Sequence, residues 1–208
     1  MNYIDFREKM KEFPLFETKE LKLIFKDDFN KSFLNNLKNW EEKGYLIKLR
    51  KGLYLLGDIK EELDPMFLAS KIYAPSYVSL EMALSNYGII PEAVFTVTSI
   101  SSRKTKIFEN KYFGRYHYQK IKKEAFGGFR VEKIKNIPFN VALPEKALVD
   151  FFYLNRNIID GSRENFEGYR FEEEFDYNKK RLKEFSRLFN NKKTNFLTDN
   201  FIKFYASR

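Results

Sequence analysis

The N-terminal part of the chain carries hydrophobic residues at the spacing of an α-helix. Apolar and aromatic residues recur at intervals of three or four, at Tyr3, Phe6, Met10 and Phe13. This spacing places them on one face of a helix. Pro14 follows, and a proline ends or redirects a helix because it lacks an amide hydrogen. The pattern therefore predicts a first helix that ends before Pro14.

A second, shorter helix is predicted after this proline. Thr18 can cap its N-terminus, because a threonine hydroxyl can accept a hydrogen bond from a free amide of the first turn. Three apolar residues are expected to face inward from it: Leu21, Ile24 and Phe25.

A third helix is predicted between Asn30 and Gly44, since asparagine caps helix starts and glycine commonly ends helices. Its inward face would consist of Phe33, Leu37 and Trp40. Its outward face would then present six polar residues: Lys31, Ser32, Asn35, Asn36, Lys38 and Asn39. Asparagine amides can pair with adenine edges, and lysines can reach guanine or phosphate.

A β-hairpin is predicted for Gly44–Leu56, where two apolar runs flank Arg50, Lys51 and Gly52. Three short helices followed by a hairpin predict a winged helix-turn-helix domain over residues 1–57. In that arrangement the third helix enters the major groove of double-stranded DNA. Lys48, Arg50 and Lys51 would hold the DNA backbone from the wing. Winged helices also serve as protein-interaction modules, so protein binding is the alternative for this domain.

Residues 58–208 are predicted to form a mixed α/β domain, which makes the whole chain α+β. Strand-like segments between residues 93 and 143 predict a small, mostly antiparallel sheet. Helices are predicted at residues 144–155 and within 177–205, the first with Pro144 in its opening turn. Eight residues could gather on one exposed face of the sheet: Arg103, Lys104, Lys106, Arg115, His117, Lys120, Lys122 and Lys123. All of them except His117 are predicted to extend the DNA contact.

The net positive charge of the chain favours a polyanionic partner. The 208 residues carry a formal net charge of +9, and Arg103–Lys135 holds 11 basic side chains against 3 acidic ones. Such a density attracts nucleic acids if the fold gathers it on one face. The chain has no cysteine, which excludes disulfides and thiolate metal sites. With no signal-peptide pattern and no membrane-length apolar run, a cytoplasmic location is predicted.

No enzymatic chemistry is predicted. His117 is the only histidine, and a nucleophile turn of the G-x-S-x-G kind is absent. The acidic run Glu172–Glu174 with Asp176 lies in a charged loop-like segment, which favours a solvated acidic face over a magnesium site. Gly127–Gly128 lacks the spacing of a phosphate loop. We therefore expect no catalytic residue, no metal and no cofactor.

Four segments carry a family resemblance: Leu46–Leu56, Ser76–Ser99, Phe113–Ile121 and Ala142–Leu154. In this order they resemble the AbiEi-type antitoxins of type IV toxin–antitoxin, or abortive infection, systems. The resemblance covers about Phe16 to Leu154.

The resemblance implies an N-terminal winged helix that binds operator DNA and represses its own operon. It also implies a C-terminal antitoxin domain that counteracts a nucleotidyltransferase-type toxin, without requiring a stable complex. The motif residues Ser79, Glu145, Lys146 and Asp150 are interpreted as structural, with Ser79 as a helix cap. Two alternatives stay open: a winged-helix regulator without a toxin partner, and an RNA- or protein-binding module that uses the basic sheet.

Overall fold

The computed structural model describes residues 1–134, 137–172 and 175–205. These residues form an α+β fold with two separate sheets, which confirms the predicted fold class.

The chain divides into two compact units. The first consists of Met1–Leu68 together with Lys133–Pro138, and the second of Ala69–Glu132 together with Phe139–Arg208.

The first unit combines helices with a small sheet. Its described elements are α1 (Tyr3–Met10), β1 (Leu15–Glu17), α2 (Thr18–Ile24), α3 (Lys31–Glu42), β2 (Leu46–Arg50) and β3 (Leu53–Leu56), followed by 3-10 turns at Gly57–Glu62 and Pro65–Leu68. The three strands are antiparallel in the order β1-β3-β2. Leu55 at the centre of β3 pairs with Leu15 on one side and Ile47 on the other.

Helix α3 follows its sequence prediction closely. The Asn30 side chain accepts a hydrogen bond from the Phe33 amide at 3.1 Å, as expected of an N-cap. Phe33, Leu37 and Trp40 are buried in the core of the unit. Gly44 has a φ of +75°, the left-handed conformation that favours glycine after a helix.

Two apolar residues are exposed, although Phe13 was predicted on the apolar face of the first helix and Ile24 was predicted to face inward. Phe13 is 66% exposed because α1 ends at Met10, and Phe16 of the following strand enters the core in its place. Ile24 is 48% exposed at the last position of α2.

The predicted cap of α2 is also wrong by one residue. Glu17 occupies the N-cap position and forms a capping box with Glu20. The Glu20 carboxylate accepts a hydrogen bond from the Glu17 amide, with 2.6 Å between nitrogen and oxygen. Thr18 is the first helical residue, and its amide donates to the Gly52 carbonyl at 2.9 Å. The pairing of β1 with β3 places Glu17 at the strand–helix junction, which the local sequence did not reveal.

The second sheet and its helices account for most of the remaining chain. The described elements are α4 (Ala69–Ile72), β4 (Ser76–Val78), α5 (Leu80–Asn86), β5 (Thr96–Ser101), β6 (Lys106–Asn110), β7 (Gly114–Lys120), β8 (Phe129–Ile134), β9 (Ile137–Ala142), α6 (Pro144–Leu154), α7 (Arg163–Gly168), α8 (Lys179–Leu188) and α9 (Lys192–Tyr205). The predicted helices of the C-terminal segment are confirmed as α8 and α9.

This sheet is mixed, whereas the sequence predicted a mostly antiparallel one. Its described strands follow the order β6-β7-β5-β4-β9-β8. β5 runs parallel to β7, and β4 runs parallel to β9. The reason is that β7 inserts between β5 and β6, although β5 and β6 are consecutive in the chain.

Aromatic side chains attach the C-terminal segment to α6. Phe152 of α6 lies 5.7 Å from Phe166 and 5.3 Å from Phe201, measured between ring centroids. Phe171 and Tyr205 complete the cluster. Within the described ranges, none of the helices is long and apolar enough to cross a bilayer.

Candidate nucleic-acid interface

The outward face of α3 carries the residues predicted to read DNA. Lys31, Ser32, Asn35, Lys38 and Asn39 are all exposed on this helix. The burial of the opposite face holds them in place, since a helix anchored at three core positions has little freedom to rotate. The structure therefore presents these side chains together on one solvent-facing surface.

Asn36 differs from the other predicted readers. It is half-buried, and its Nδ2 lies 3.4 Å from the Met1 carbonyl oxygen. Asn36 is therefore turned toward the side of the helix.

Leu34 is an exposed residue of α3 that the sequence reasoning missed. It is 44% exposed. Lys38, one turn further on, lies on the same side and is 3.7 Å from Glu42 in an exposed ion pair. The signal was available, because Leu34 falls outside the stripe formed by Phe33 and Leu37.

An open groove of about 410 Å³ runs along this flank of α3. It is lined by Thr18, Leu34, Leu37, Lys38, Glu41, Glu42, Lys48 and Tyr54. Leu34 and Leu37 are the aliphatic residues of this lining, and most of the others are polar.

The hairpin cations have different surroundings. Arg50 is half-buried, and its Nη2 lies 2.8 Å from Glu17 Oε1. The Lys48 ammonium lies 3.4 Å from Glu41 Oε2. Lys51 is exposed in the turn between β2 and β3. Lys51 is therefore the hairpin cation best placed to meet an outside anion, while Arg50 also holds the hairpin against Glu17.

The same contacts change the acidity of Glu17. Its pKa lies below the ordinary value of 4.5, mainly because Lys19 donates a hydrogen bond to its carboxylate and also because Arg50 does. Burial opposes this shift.

The basic residues of the second unit do not share one face of the sheet. In the register of β6 and β7, Lys106 is opposite Tyr118 while Ile107 is opposite His117. Residues directly opposite each other in an antiparallel pair share a face, and neighbours along a strand alternate. Lys106 and Lys120 therefore lie on the Tyr118 face, and Arg115 and His117 lie on the other. The predicted single basic face is wrong for this reason.

Arg103 and Lys104 lie in the connection after β5. The Arg103 guanidinium donates a hydrogen bond to the Ala74 carbonyl at 3.1 Å and stacks 5.1 Å from the Tyr73 ring centroid. The Lys104 carbonyl accepts a hydrogen bond from the Tyr73 hydroxyl at 3.1 Å. Arg103 thus supports the local fold as well as adding charge.

Lys120, Lys122 and Lys123 gather at a surface pocket. Ser102, Ile121 and Tyr153 complete its lining. One cavity therefore brings together three of the basic residues predicted on the sheet.

A buried polar cluster lies between β4 and α6. Lys146 and Asp150 form an ion pair one helical turn apart, and both side chains are 0% exposed. Asp150 Oδ2 also accepts hydrogen bonds from the Tyr77 hydroxyl at 3.0 Å and the Ser79 hydroxyl at 2.8 Å. Ser79 precedes α5 without making a side-chain cap, so its predicted capping role is wrong.

Burial dominates the acidity of this cluster. It lowers the pKa of Lys146 and raises the pKa of Asp150, and each of the two charges opposes the shift of the other. Burial and the adjacent Asp150 charge raise the pKa of Tyr77. Since no member is solvent-exposed, the cluster can fix the position of α6 against β4 but offers no surface to a substrate.

The residues weighed for catalysis or metal binding occupy separate parts of the described chain. Among residues 1–134, 137–172 and 175–205, no three His, Asp or Glu side chains come close enough to hold a metal ion. His117 is half-buried on β7 opposite Ile107. Glu173 and Glu174 of the acidic run lie outside the described residues.

No protein-family model matches the chain, and no curated protein matches it at a significant level. The antitoxin family stays a prediction from the four sequence segments.

Proposed function

We propose that the chain is a sequence-specific DNA-binding repressor whose first unit acts as a winged helix. The observation that carries this proposal is the exposed face of α3. Five polar side chains point outward from it, while Phe33, Leu37 and Trp40 anchor the opposite face. A hairpin with an exposed Lys51 in its turn follows directly in the chain.

Six exposed residues of α3 have roles that fit contact with the major groove and its phosphates. The amides of Asn35 and Asn39 match the N6 and N7 groups of adenine. The exposed Leu34 matches the C5 methyl group of thymine, which an apolar side chain can contact. Lys31 and Lys38 would reach phosphates or guanine, with Ser32 beside them at the start of the helix.

The hairpin would hold the DNA backbone without reading its sequence. Lys51 would contact a phosphate directly. Lys48 would also bind a phosphate, which would weaken its ion pair with Glu41. Arg50 would act partly through Glu17, by keeping the hairpin in place. Contacts of this kind raise affinity for all sequences and make it depend on salt.

We further propose that the protein is an antitoxin of a type IV toxin–antitoxin system that represses its own operon. The support is the resemblance of the four segments to AbiEi-type antitoxins. Its functional partner would be a nucleotidyltransferase-type toxin in the cytoplasm, without a stable complex being required and with no membrane involved. In this proposal the protein is not an enzyme.

DNA binding is tested by fluorescence anisotropy on duplex DNA from upstream of the gene, with scrambled DNA of equal length as control. We expect a preference of about 10³-fold or more for the upstream DNA. Asn35→Ala and Asn39→Ala should reduce this preference. Lys51→Gln should weaken binding to both DNAs equally and lower the salt slope by about one unit. Lys11→Gln, which removes the same charge beside Glu8 in α1, should change neither.

The thymine contact has its own control. Replacing thymine by uracil in the upstream DNA removes only the methyl group. It should therefore weaken DNA binding by the native protein and leave DNA binding by the Leu34→Ala variant unchanged. Equal weakening of both proteins would contradict the assigned role of Leu34.

The antitoxin proposal is tested by co-expression with the neighbouring nucleotidyltransferase gene, where rescue of growth is expected. Selective DNA binding without rescue would favour a regulator that lacks a toxin partner. Indifference to DNA sequence combined with tighter binding of RNA would instead support the RNA-binding module.

A further inference from the structure

The carboxyl ends of β5 and β7 create a concave site in the second unit. The two strands are parallel neighbours, and Ser101 at the end of β5 pairs with Lys120 at the end of β7. The residues that follow each strand must therefore emerge at the same edge of the sheet. Ser102 follows β5, and Lys122 and Lys123 follow β7.

The C-terminal part of α6 supplies one wall of this pocket. Tyr153 lines it, and the Phe189 ring packs 4.3 Å from the Tyr153 ring centroid. The Arg156 guanidinium lies 4.4 Å from the same ring centroid. The Tyr153 ring is therefore held between Phe189 and Arg156, which fixes its position at the pocket.

The charge of the lining is uncompensated. Lys120, Lys122 and Lys123 form no ion pair with any carboxylate of the described residues, and the lining contains no acidic side chain. Like charges gathered in a concavity repel one another and focus a positive potential there. Other lysines of this unit have acidic partners, such as Lys183 with Asp199 at 2.9 Å. A bound anion would remove the repulsion at the pocket.

The size and chemistry of the pocket indicate the kind of anion. Its volume is about 420 Å³, which leaves room for a small organic body beside a phosphate group. Ammonium groups, a serine hydroxyl and a tyrosine hydroxyl can all donate hydrogen bonds to phosphate oxygens. Tyr153 beside them adds an aromatic edge that suits an apolar remainder of the ligand.

We propose that this pocket binds a small phosphorylated ligand, with its phosphate or diphosphate group held by Lys120, Lys122 and Lys123. The site goes beyond the DNA-binding proposal, because it is concave and because Arg115 and His117 lie on the other face of the sheet. A nucleic-acid backbone is the other source of the same phosphate chemistry, and the experiment separates the two.

The probe is pyrophosphate, added to the full chain in isothermal titration calorimetry at constant ionic strength. We expect saturable binding to the native protein. The triple substitution Lys120→Gln, Lys122→Gln, Lys123→Gln should weaken it at least tenfold. The matched control is Lys179→Gln, Lys180→Gln, Lys192→Gln, which removes the same charge from exposed positions outside the pocket. It should keep the native affinity within twofold.

Three results would overturn the proposal. Equal loss in the two triple variants would show general charge attraction, and binding that does not saturate would indicate an adventitious ion only. The third result uses scrambled duplex DNA. If the pocket variant loses affinity for this DNA while the native protein does not bind pyrophosphate, the lysines serve a nucleic-acid backbone. Circular dichroism of each variant, together with the single substitution Lys122→Gln, guards against misfolding as the cause.

Discussion

The buried pair Lys146–Asp150 allows a quantitative test of how the second unit is held together. Asp150→Asn keeps the shape of the side chain and an oxygen that can accept from Tyr77 and Ser79. It removes the negative charge and leaves a fully buried ammonium group without its partner. Breaking a buried ion pair from one side costs about 3–5 kcal/mol of the free energy of unfolding. A loss of this size lowers the melting temperature by roughly 6–20 °C in a chain of this length.

The double variant Lys146→Met, Asp150→Asn separates charge from packing. It removes both charges and keeps the hydrogen-bond acceptor for the two hydroxyl groups. Replacing both members of a buried pair is often close to neutral, so we expect the double variant to lie within about 2 kcal/mol of the native protein. Stability would be measured by urea unfolding followed by far-ultraviolet circular dichroism. The exposed pair Lys183–Asp199 is the control, and Asp199→Asn should cost less than about 1 kcal/mol.

The pH dependence of Asp150→Asn supplies a second readout. Burial lowers the folded-state pKa of Lys146 below 10.5, and loss of Asp150 lowers it further. Between that lowered pKa and 10.5 the unfolded chain binds more protons than the folded one, so stability should rise with pH in this interval. The reasoning is refuted if the single and double variants are equally destabilised, or if Asp150→Asn behaves like Asp199→Asn.

Three other perturbations test the fold. Gly128→Ala should lower the free energy of unfolding by about 2–4 kcal/mol, because Gly128 has a φ of +73° and an added Cβ would lie 2.8 Å from the Phe185 ring. Gly127 has open space around it, so Gly127→Ala should change this free energy by no more than about 0.5 kcal/mol in the same urea titration. Glu17→Gln should lower the free energy of unfolding above pH 4.5, because the pKa of Glu17 in the folded protein lies below this value. The stabilising contribution of the Glu17 carboxylate disappears as the pH falls through that folded pKa. A stability difference between variant and native protein that stays constant across an acid titration would contradict this. Asn30→Ala should lower the free energy of unfolding by about 1 kcal/mol, because it removes the cap of α3. Urea unfolding can be followed by the fluorescence of Trp40, the only tryptophan of the sequence. An unchanged unfolding midpoint would argue against the cap.

The exposed surface of α3 could be predicted from sequence because the relevant interactions are local. The Asn30 cap and Gly44 determine where the helix begins and ends. The apolar repeat that includes Phe33 determines which side faces the core. The same logic failed at Phe13 and Ile24, where a helix is short and a neighbouring strand decides which aromatic residue enters the core.

The polar cluster at Asp150 shows a different limit of sequence reasoning. Lys146 and Asp150 are interpreted from sequence as structural motif residues, and their separation of one helical turn is visible in the chain. The partners Tyr77 and Ser79 lie about seventy residues earlier, and only the packing of α6 against β4 brings them to the carboxylate.

The sequence by itself determined the α+β class, the inward and outward sides of α3 and the position of the C-terminal helices. Each of these depends on contacts between residues a few positions apart. Only the tertiary structure decided how the basic residues after Ser102 are distributed. The insertion of β7 between β5 and β6 places Arg115 on one face and Lys106 on the other, and brings the ends of β5 and β7 to one edge. That arrangement depends on pairing between distant strands, which a pattern along the chain does not encode.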